Sequence, residues 1–355
     1  MPKIGIGLDI GSNSVKLVEL TAGNKRAARL NRFQMIALPD GVISNGVVAD
    51  QTVVSEAVDE LFRKSKISLR RVVIAISQQA VIVRHIKMPV MEDDQLGNAI
   101  QYEAERYIPF QLDEVTLDYK IIGKDPQQDE LEIMLVCARN DIIASHVETL
   151  RQIKVQPLAV DIQPLALMRI FGLDSPLVQG SIALLDLGAG TTDLTIFKDG
   201  VPRFTRIIPM AGHRFTSTVS GSLSLPFEEA EEYKVNYSDA LYNIQQAAPD
   251  SPEFKVNFAI LEGLRELAME LRRSFDYYQL QQRNEEIKRV VVTGGGARLK
   301  NIIQFLRNEL NVPVECGLTD KVICPDKLKN QFMLEFPVFA TALGLGLREV
   351  IDDEN

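Results

Sequence analysis

An apolar run closes on Leu8-Asp9-Ile10-Gly11-Ser12, and a second run, Ser14 to Leu20, follows it at once. The pattern returns at Leu185-Asp186-Leu187-Gly188-Ala189, followed by Thr191 to Phe197. In both places β-formers flank a Gly-containing turn with hydroxyls, so each reads as a hairpin with Asp at the end of its first strand. Two copies so far apart imply a duplicated architecture and not a short-period solenoid. After the first copy, Arg26 to Leu38 predicts a third strand, and Asp40-Gly41 and Asn45-Gly46 predict turns. Asp50 opens a helix whose apolar positions Val54, Ala57, Val58, Leu61 and Phe62 recur at helical spacing, and Arg71 to Ser77 is a buried strand. Strands followed by helices argue for an α/β core.

The pattern changes from about Gln79 to Lys154. A strand (Ala80 to Lys87) precedes a helix opened near Glu92-Asp93-Asp94 and ending before Pro109. Strands Val115 to Ile122 and Leu131 to Ala138 follow, with Asp125-Pro126-Gln127 turning between them, and a helix from about Asp141 to Ile153 closes the segment. This β-α-β-β-α order predicts a small inserted domain. Residues 211–288 read as mostly helical. Residues 289–296 form a strand ending in three glycines, and Lys300 to Glu309 reads as the next helix.

The chain has 355 residues, which at about 150 residues per domain gives two or three domains. Charged residues make up 25% and hydrophobic residues 46%, the balance of a globular protein. A net charge of −9 argues against a general nucleic-acid binder, which needs a basic field. Cys137, Cys316 and Cys324 show neither zinc nor disulfide spacing and suit a reducing compartment. His85, His146 and His213 are scattered without ligand spacing. The start, MPKIGIGLDIGSN, has no apolar run of signal-peptide length, and no stretch of about 18 apolar residues predicts a membrane span. A cytoplasmic location is therefore expected.

Three segments carry candidate chemistry. Gly11, Ser12, Asn13 and Ser14 can present N–H groups and hydroxyls to an anion, and Asp9 beside them can hold Mg²⁺ through its waters. Lys16 can neutralise phosphate charge. The second hairpin offers Asp186, Gly188, Ala189, Gly190, Thr191 and Thr192, with two glycines that let the backbone approach closely. In Val290-Val291-Val292-Thr293-Gly294-Gly295-Gly296-Ala297-Arg298 a strand meets bare glycines, against which a flat adenine can lie with the Arg298 guanidinium above it. Each segment alone is equally compatible with an ordinary turn.

Together, in this order, the three resemble the phosphate 1, phosphate 2 and adenosine motifs of the actin-like ATPase superfamily. The resemblance spans nearly the whole chain. It implies two duplicated α/β domains closing on Mg-ATP. Asp9, Gly11, Ser12 and Lys16 match the first motif, Asp186 to Thr192 (DLGAGTT) the second, and Gly294, Gly295, Gly296 and Arg298 the third. Ala230-Glu231-Glu232-Tyr233-Lys234 resembles a helix that contacts ribose and adenine, which nominates Glu231 and Lys234. Gln163, in Val160-Asp161-Ile162-Gln163-Pro164, falls where the superfamily orients the attacking water. An amide cannot accept the water's proton, so slow hydrolysis is expected. Phe336 to Leu347 resembles the second connecting helix.

The position of the insertion is similar to that in FtsA-like members. The string Gln101-Tyr102-Glu103-Ala104-Glu105-Arg106-Tyr107-Ile108-Pro109-Phe110 closely resembles the PilM family of type IV pilus assembly proteins. This implies subdomains 1–79 with 155–180 and 335–355, an inserted 80–154, 181–210 with 289–334, and a helical 211–288. It also implies docking from the cytoplasm onto the N-terminal tail of the inner-membrane protein PilN, in a groove between the inserted domain and the first α/β domain. Residues near Ile82, Val83, Ile86 and Tyr107 to Phe110 are candidates for that groove. Other pilus assembly proteins and self-association are further partner expectations. The tail Leu347 to Asn355 ends in acidic residues that anionic lipid would repel, so membrane contact is expected only through a partner. The alternatives are an FtsA-like cell-division scaffold or a metabolite kinase of the same superfamily.

Overall fold

The computed structural model describes all residues except 1–2, 25–26, 126–127, 174, 176–177, 247, 283 and 352–355. Arg26 of the expected third strand, Pro126 and Gln127 of the expected turn, and the acidic end from Asp352 to Asn355 lie outside the described residues. The chain divides into two units, 1–167 with 341–355, and 168–340.

Unit 1 begins with β1 (Ile4–Ile10), β2 (Ser14–Asn24) and β3 (Ala27–Ala37), then a short hairpin of β4 (Ile43–Ser44) and β5 (Val47–Val48). Helix α1 (Gln51–Ser65) starts where Asp50 Oδ1 accepts from Val53 N at 3.1 Å, and its face of Val54, Ala57, Val58, Leu61 and Phe62 is buried. Next come β6 (Arg71–Ile76), β7 (Val81–Pro89), α2 (Asp93–Ala104), β8 (Val115–Asp125), β9 (Glu130–Arg139), α3 (Asn140–Gln152), β10 (Gln156–Ile162) and α4 (Gln163–Phe171). The main sheet runs β10-β6-β1-β2-β3, with β10, β6 and β1 parallel and β1-β2-β3 antiparallel. A separate sheet of order β7-β9-β8 packs Ile86, Ile133 and Leu135 against Leu96, Ile100 and Ala104 of α2.

Helix α2 stops at Ala104, short of Pro109. Arg106 N bonds to Glu103 O and Tyr107 N to Ala104 O, tight turns that carry Ile108 into the core.

Unit 2 holds β11 (Ser181–Leu187), β12 (Thr192–Lys198), β13 (Val201–Ile208), α5 (Gly212–Leu223), α6 (Phe227–Tyr237), α7 (Pro252–Gln281), β14 (Ile287–Thr293), α8 (Ile302–Leu310), β15 (Val314–Cys316), β16 (Val322–Ile323) and α9 (Asp326–Leu347), whose last turns belong to unit 1. Its sheet runs β13-β12-β11-β14-β15. Helix α7 is capped by Ser251 Oγ and lays Val256, Ile260, Leu264, Leu271 and Phe275 into the unit 2 core. Helix α8 begins two residues later than its pattern predicts. Gly295–Arg298 forms a 3₁₀ turn, Asn301 is left-handed, and Lys300 instead pairs with Asp239 at 2.8 Å. Among the described residues no helix is long and apolar enough to cross a membrane.

The end of α9 lies directly on β1. A Cβ on Gly7 would sit 1.8 Å from the Ala342 carbonyl oxygen, and one on Gly344 would sit 1.9 Å from that of Ala166 in α4. Bare backbone at these positions is therefore a packing requirement. Gly7→Val is expected to cost about 3 kcal/mol or more, because neither backbone can yield without displacing a whole element. An unchanged thermal midpoint would show that α9 does not pack here.

Candidate functional site

In unit 1 the hairpin between β1 and β2 is closed by Gly11 N donating to Ser14 O at 3.1 Å. Its register sets Asp9 opposite Lys16, and Lys16 Nζ meets Asp9 Oδ2 at 3.0 Å with little exposure on either side. Asn13 is fixed from outside the hairpin, its carbonyl accepting from Leu38 N at 2.9 Å. Ser14 is buried, while Ser12 is half-buried and Asn13 exposed. The parallel strands β1, β6 and β10 end on the same edge, the edge where open α/β sheets receive ligands. Gln163 lies there as the first residue of α4, with β6 between its strand and β1.

The unit 2 hairpin repeats this geometry. Gly188 N donates to Thr191 O at 3.0 Å, and the register sets Asp186 opposite Asp193, the position that Lys16 holds in unit 1. The start of α5 backs the turn, with Gly212 N on Gly188 O at 3.2 Å and His213 N on Ala189 O at 2.8 Å. Those two carbonyls are thereby held on the protein side of the turn. Gly190 at its tip is exposed. Thr192 is fully buried and donates its hydroxyl to Met210 O at 2.6 Å.

Strand β14 lies parallel to β11 with Thr293 beside Asp186, so the second and third motifs are neighbours. Gly294 has φ +83, a conformation that favours glycine. A Cβ there would lie 2.1 Å from Asp186 Oδ1 and 2.5 Å from Leu187 O, whereas a Cβ on Gly295 would meet nothing within 4 Å. Gly296 and Arg298 complete the 3₁₀ turn, and Arg298 is exposed. Gly294 N and Thr293 Oγ1 both donate, at 3.0 Å, to the carbonyl of Pro337 inside α9.

Helix α6 carries Glu231 and Lys234 on one face at i,i+3 spacing. Lys234 Nζ reaches Glu231 Oε2 at 2.5 Å, Thr216 Oγ1 at 2.8 Å and Gly212 O at 3.2 Å. Thr216, fully buried in α5, also bonds Glu231 Oε2. The pair is thus joined through Gly212 to the glycine turn.

A second feature of unit 1 is a cavity of about 550 Å³ where the end of α3 faces β10, lined by Val147, Arg151, Lys154, Leu158 and Val160 among others. The β10–β6 pairing shifts register between Pro157 and Ala159, which leaves Leu158 as the extra residue of a bulge. Of the groove candidates, Ile86 and Ile108 belong instead to the core under α2. Apolar residues beside a Pro turn fill a core as readily as they line a groove. Phe110 lies beneath the Arg139 guanidinium, 5.7 Å from its ring centre.

Asp193 is absent from the sequence-derived site. It is buried, and its Oδ1 finds no hydrogen-bond partner among the described residues. Burial pushes its carboxyl up to about 6 against the opposing effect of a Thr191 hydrogen bond. The mirror of the two hairpins is the signal that finds it, since position 193 repeats position 16. Among the described residues no cluster of three His, Cys, Asp or Glu that could hold a metal ion occurs. The folded state holds the Asp193 proton to a higher pH than the unfolded chain does. Stability therefore falls as pH rises from about 4 to about 6. Asp193→Asn is expected to stabilise the protein above that range by up to about 3 kcal/mol and to change little near pH 4, as read by denaturant titration. A gap that widens toward acid would contradict this placement.

The chain resembles proteins of one group. A family model described as Type IV pilus assembly protein PilM matches residues 7–350. A solved structure described as the PilM-PilN type IV pilus biogenesis complex is 30% identical, covers 98% of both chains and superposes with a TM-score of 0.84. Cell division protein FtsA of Pseudomonas aeruginosa is 24% identical over 97% of this chain and 88% of its own length. MreB 5 of Spiroplasma citri, at 13% identity, 98% and 96% coverage and a TM-score of 0.56, shares the fold. The fold is that of the actin-like ATPases, and the FtsA likeness fits that branch. From residue 7 to residue 350, this chain belongs to the family of the type IV pilus assembly protein PilM.

Proposed function

We propose that the chain is an ATP-binding, cytoplasmic component of type IV pilus assembly, held at the inner membrane by docking onto the N-terminal cytoplasmic tail of a PilN-like protein. The docking half rests on one observation, the likeness to the PilM-PilN complex across 98% of both chains. The cavity between α3 and β10 is its candidate seat. Strand β10 is an edge strand of the unit 1 sheet among the described residues, so its outer backbone groups can pair with an extended peptide. Val147, Leu158 and Val160 supply apolar contact, and Arg151 and Lys154 supply positive charge. Residues 80–154 fit the role of an inserted domain that brings α3 to this place.

The nucleotide half is supported by the two matching turns and by the glycine cradle. Ser12 to Ser14 and Ala189 to Thr191 supply N–H groups and hydroxyls to phosphate, and Lys16 supplies charge. Asp9 and Asp186 would hold Mg²⁺ through water. When bound, Mg²⁺ neutralises phosphate charge. Gly294, Gly296 and Arg298 take the adenine, Glu231 the ribose, and Gln163 orients water without accepting its proton, which suits ATP as a conformational ligand more than a fuel.

Two measurements test the halves separately. By calorimetry, Gly294→Ala is expected to weaken Mg-ATP binding tenfold or more by driving Cβ into the Asp186 carboxylate, and Gly295→Ala to leave it within about twofold. Equal effects would remove the glycine turn from the site. A peptide copying the PilN-like tail should bind the full chain, and Val147→Asp should weaken it about tenfold while ATP binding is unchanged. An unaltered peptide affinity would take the α3–β10 cavity out of the docking surface.

A further inference from the structure

The net charge of −9 averages over an uneven surface. Helix α1 feeds β6 and α3 feeds β10, and these strands are parallel, so both helices end at the same edge of the unit 1 sheet. That edge lies opposite the one reached by Asp9 and Gln163. Residues 63–71 and 151–154 gather seven Lys and Arg there, against Asp59 and Glu60 of α1. Arg70 is used within the fold. Its guanidinium donates to Asp59 Oδ1 at 2.8 Å and to Ile153 O at 3.0 Å, and its carbonyl accepts from Gln156 N at 2.8 Å. These bonds join the two loops into one surface, on which the other six cations are exposed. Arg63 and Lys64 pair with Asp59 and Glu60 one turn back, whereas Lys66, Arg71, Arg151 and Lys154 meet no carboxylate among the described residues. Cations in the last turn of a helix favour its dipole, which accounts for Arg63, Lys64 and Arg151. It does not account for Arg71, the first residue of β6, or for Leu69, which stands 37% exposed between Lys66 and Arg71. Lys66 and Lys154 also hold left-handed backbone, at φ +55 and +59, that few residues with a side chain adopt.

We infer that this edge is a membrane-contacting face, on which Lys66, Arg71, Arg151 and Lys154 meet the anionic headgroups of a bilayer and Leu69 enters the headgroup layer. The choice of occupant rests on the docking reading above. Arg151 and Lys154 line the α3–β10 cavity, so a tail that leaves the bilayer to fill that cavity brings the same edge to the lipid. A cytoplasmic leaflet is negatively charged, and each Lys or Arg near its surface gains roughly fivefold in binding. A leucine among those cations adds apolar contact that salt does not screen. The Asp9 edge of the sheet then faces away from the bilayer.

The test floats the full chain, without tail peptide, on phosphatidylcholine vesicles with and without about 30% phosphatidylglycerol. At about 0.05 M salt the chain should prefer the anionic vesicles by about thirtyfold or more, and at about 0.5 M by less than about fivefold. Lys66→Gln with Arg71→Gln should cut the preference about tenfold or more while leaving soluble tail-peptide affinity within about twofold. Leu69→Ser should weaken binding to the anionic vesicles several-fold at both salt concentrations. Lys255→Gln with Lys288→Gln, the same charge lost from unit 2, should leave the preference within about twofold. An unchanged preference in the Lys66 and Arg71 variant, or an equal loss in the unit 2 variant, overturns the inference. So does a duplex oligonucleotide that binds as tightly as the anionic vesicles and is lost in the same variant, which would make the edge a nucleic-acid surface. If the tail peptide does not bind but the vesicle preference holds, the docking reading falls and the lipid face stands. If the peptide binds and no vesicle preference is found, this inference alone is lost.

Discussion

The position of the Asp186 carboxylate depends on residue 294 having no side chain. Strands β11 and β14 run side by side, their ends bring an aspartate and a glycine turn to the same point, and only hydrogen fits between them. The rest of the unit 2 site is arranged around that approach. The Pro337 carbonyl holds the glycine turn from one side, and the first turn of α5 holds the phosphate-type turn from another. The result is a cluster of fixed backbone dipoles around a carboxylate. Pre-organisation of this kind leaves the turn little to rearrange.

Sequence made the hairpins legible because their code is local. An Asp, a glycine turn and two runs of β-formers lie within about a dozen residues, and hairpin pairing follows directly from them. Helix α1 was equally plain, with an Asp cap and five apolar positions at the right spacing. What sequence did not reveal was long in range. Thr216 meets Lys234 across eighteen positions on separate helices, and no periodicity encodes such a contact. Leu158 lines the cavity because a bulge sets it out of register, which depends on how β10 settles against β6.

Asp193 is an intermediate case. Its place opposite Asp186 follows from hairpin register and was within reach of the repeat, yet its meaning depends on burial. Side by side, the two hairpins share a backbone and differ in charge. One sets a lysine against its aspartate, the other a second carboxylate. The duplicated frame kept its turn geometry, because Gly11 and Gly188 bond in the same way, while the facing residue became a variable. Cross-strand neighbours carry chemistry as readily as they carry stability.

The contact between α9 and β1 has a mechanical side. Where helix and strand meet through Gly7 and Ala342, no long side chain separates them, so no rotamer is available to absorb displacement. Most helix-on-sheet contacts include such cushions and creep by small repacking. This one behaves as a rigid joint without slack. A shift of the last turns of α9 is passed on undiminished to β1, and two residues beyond Gly7 that strand carries Asp9.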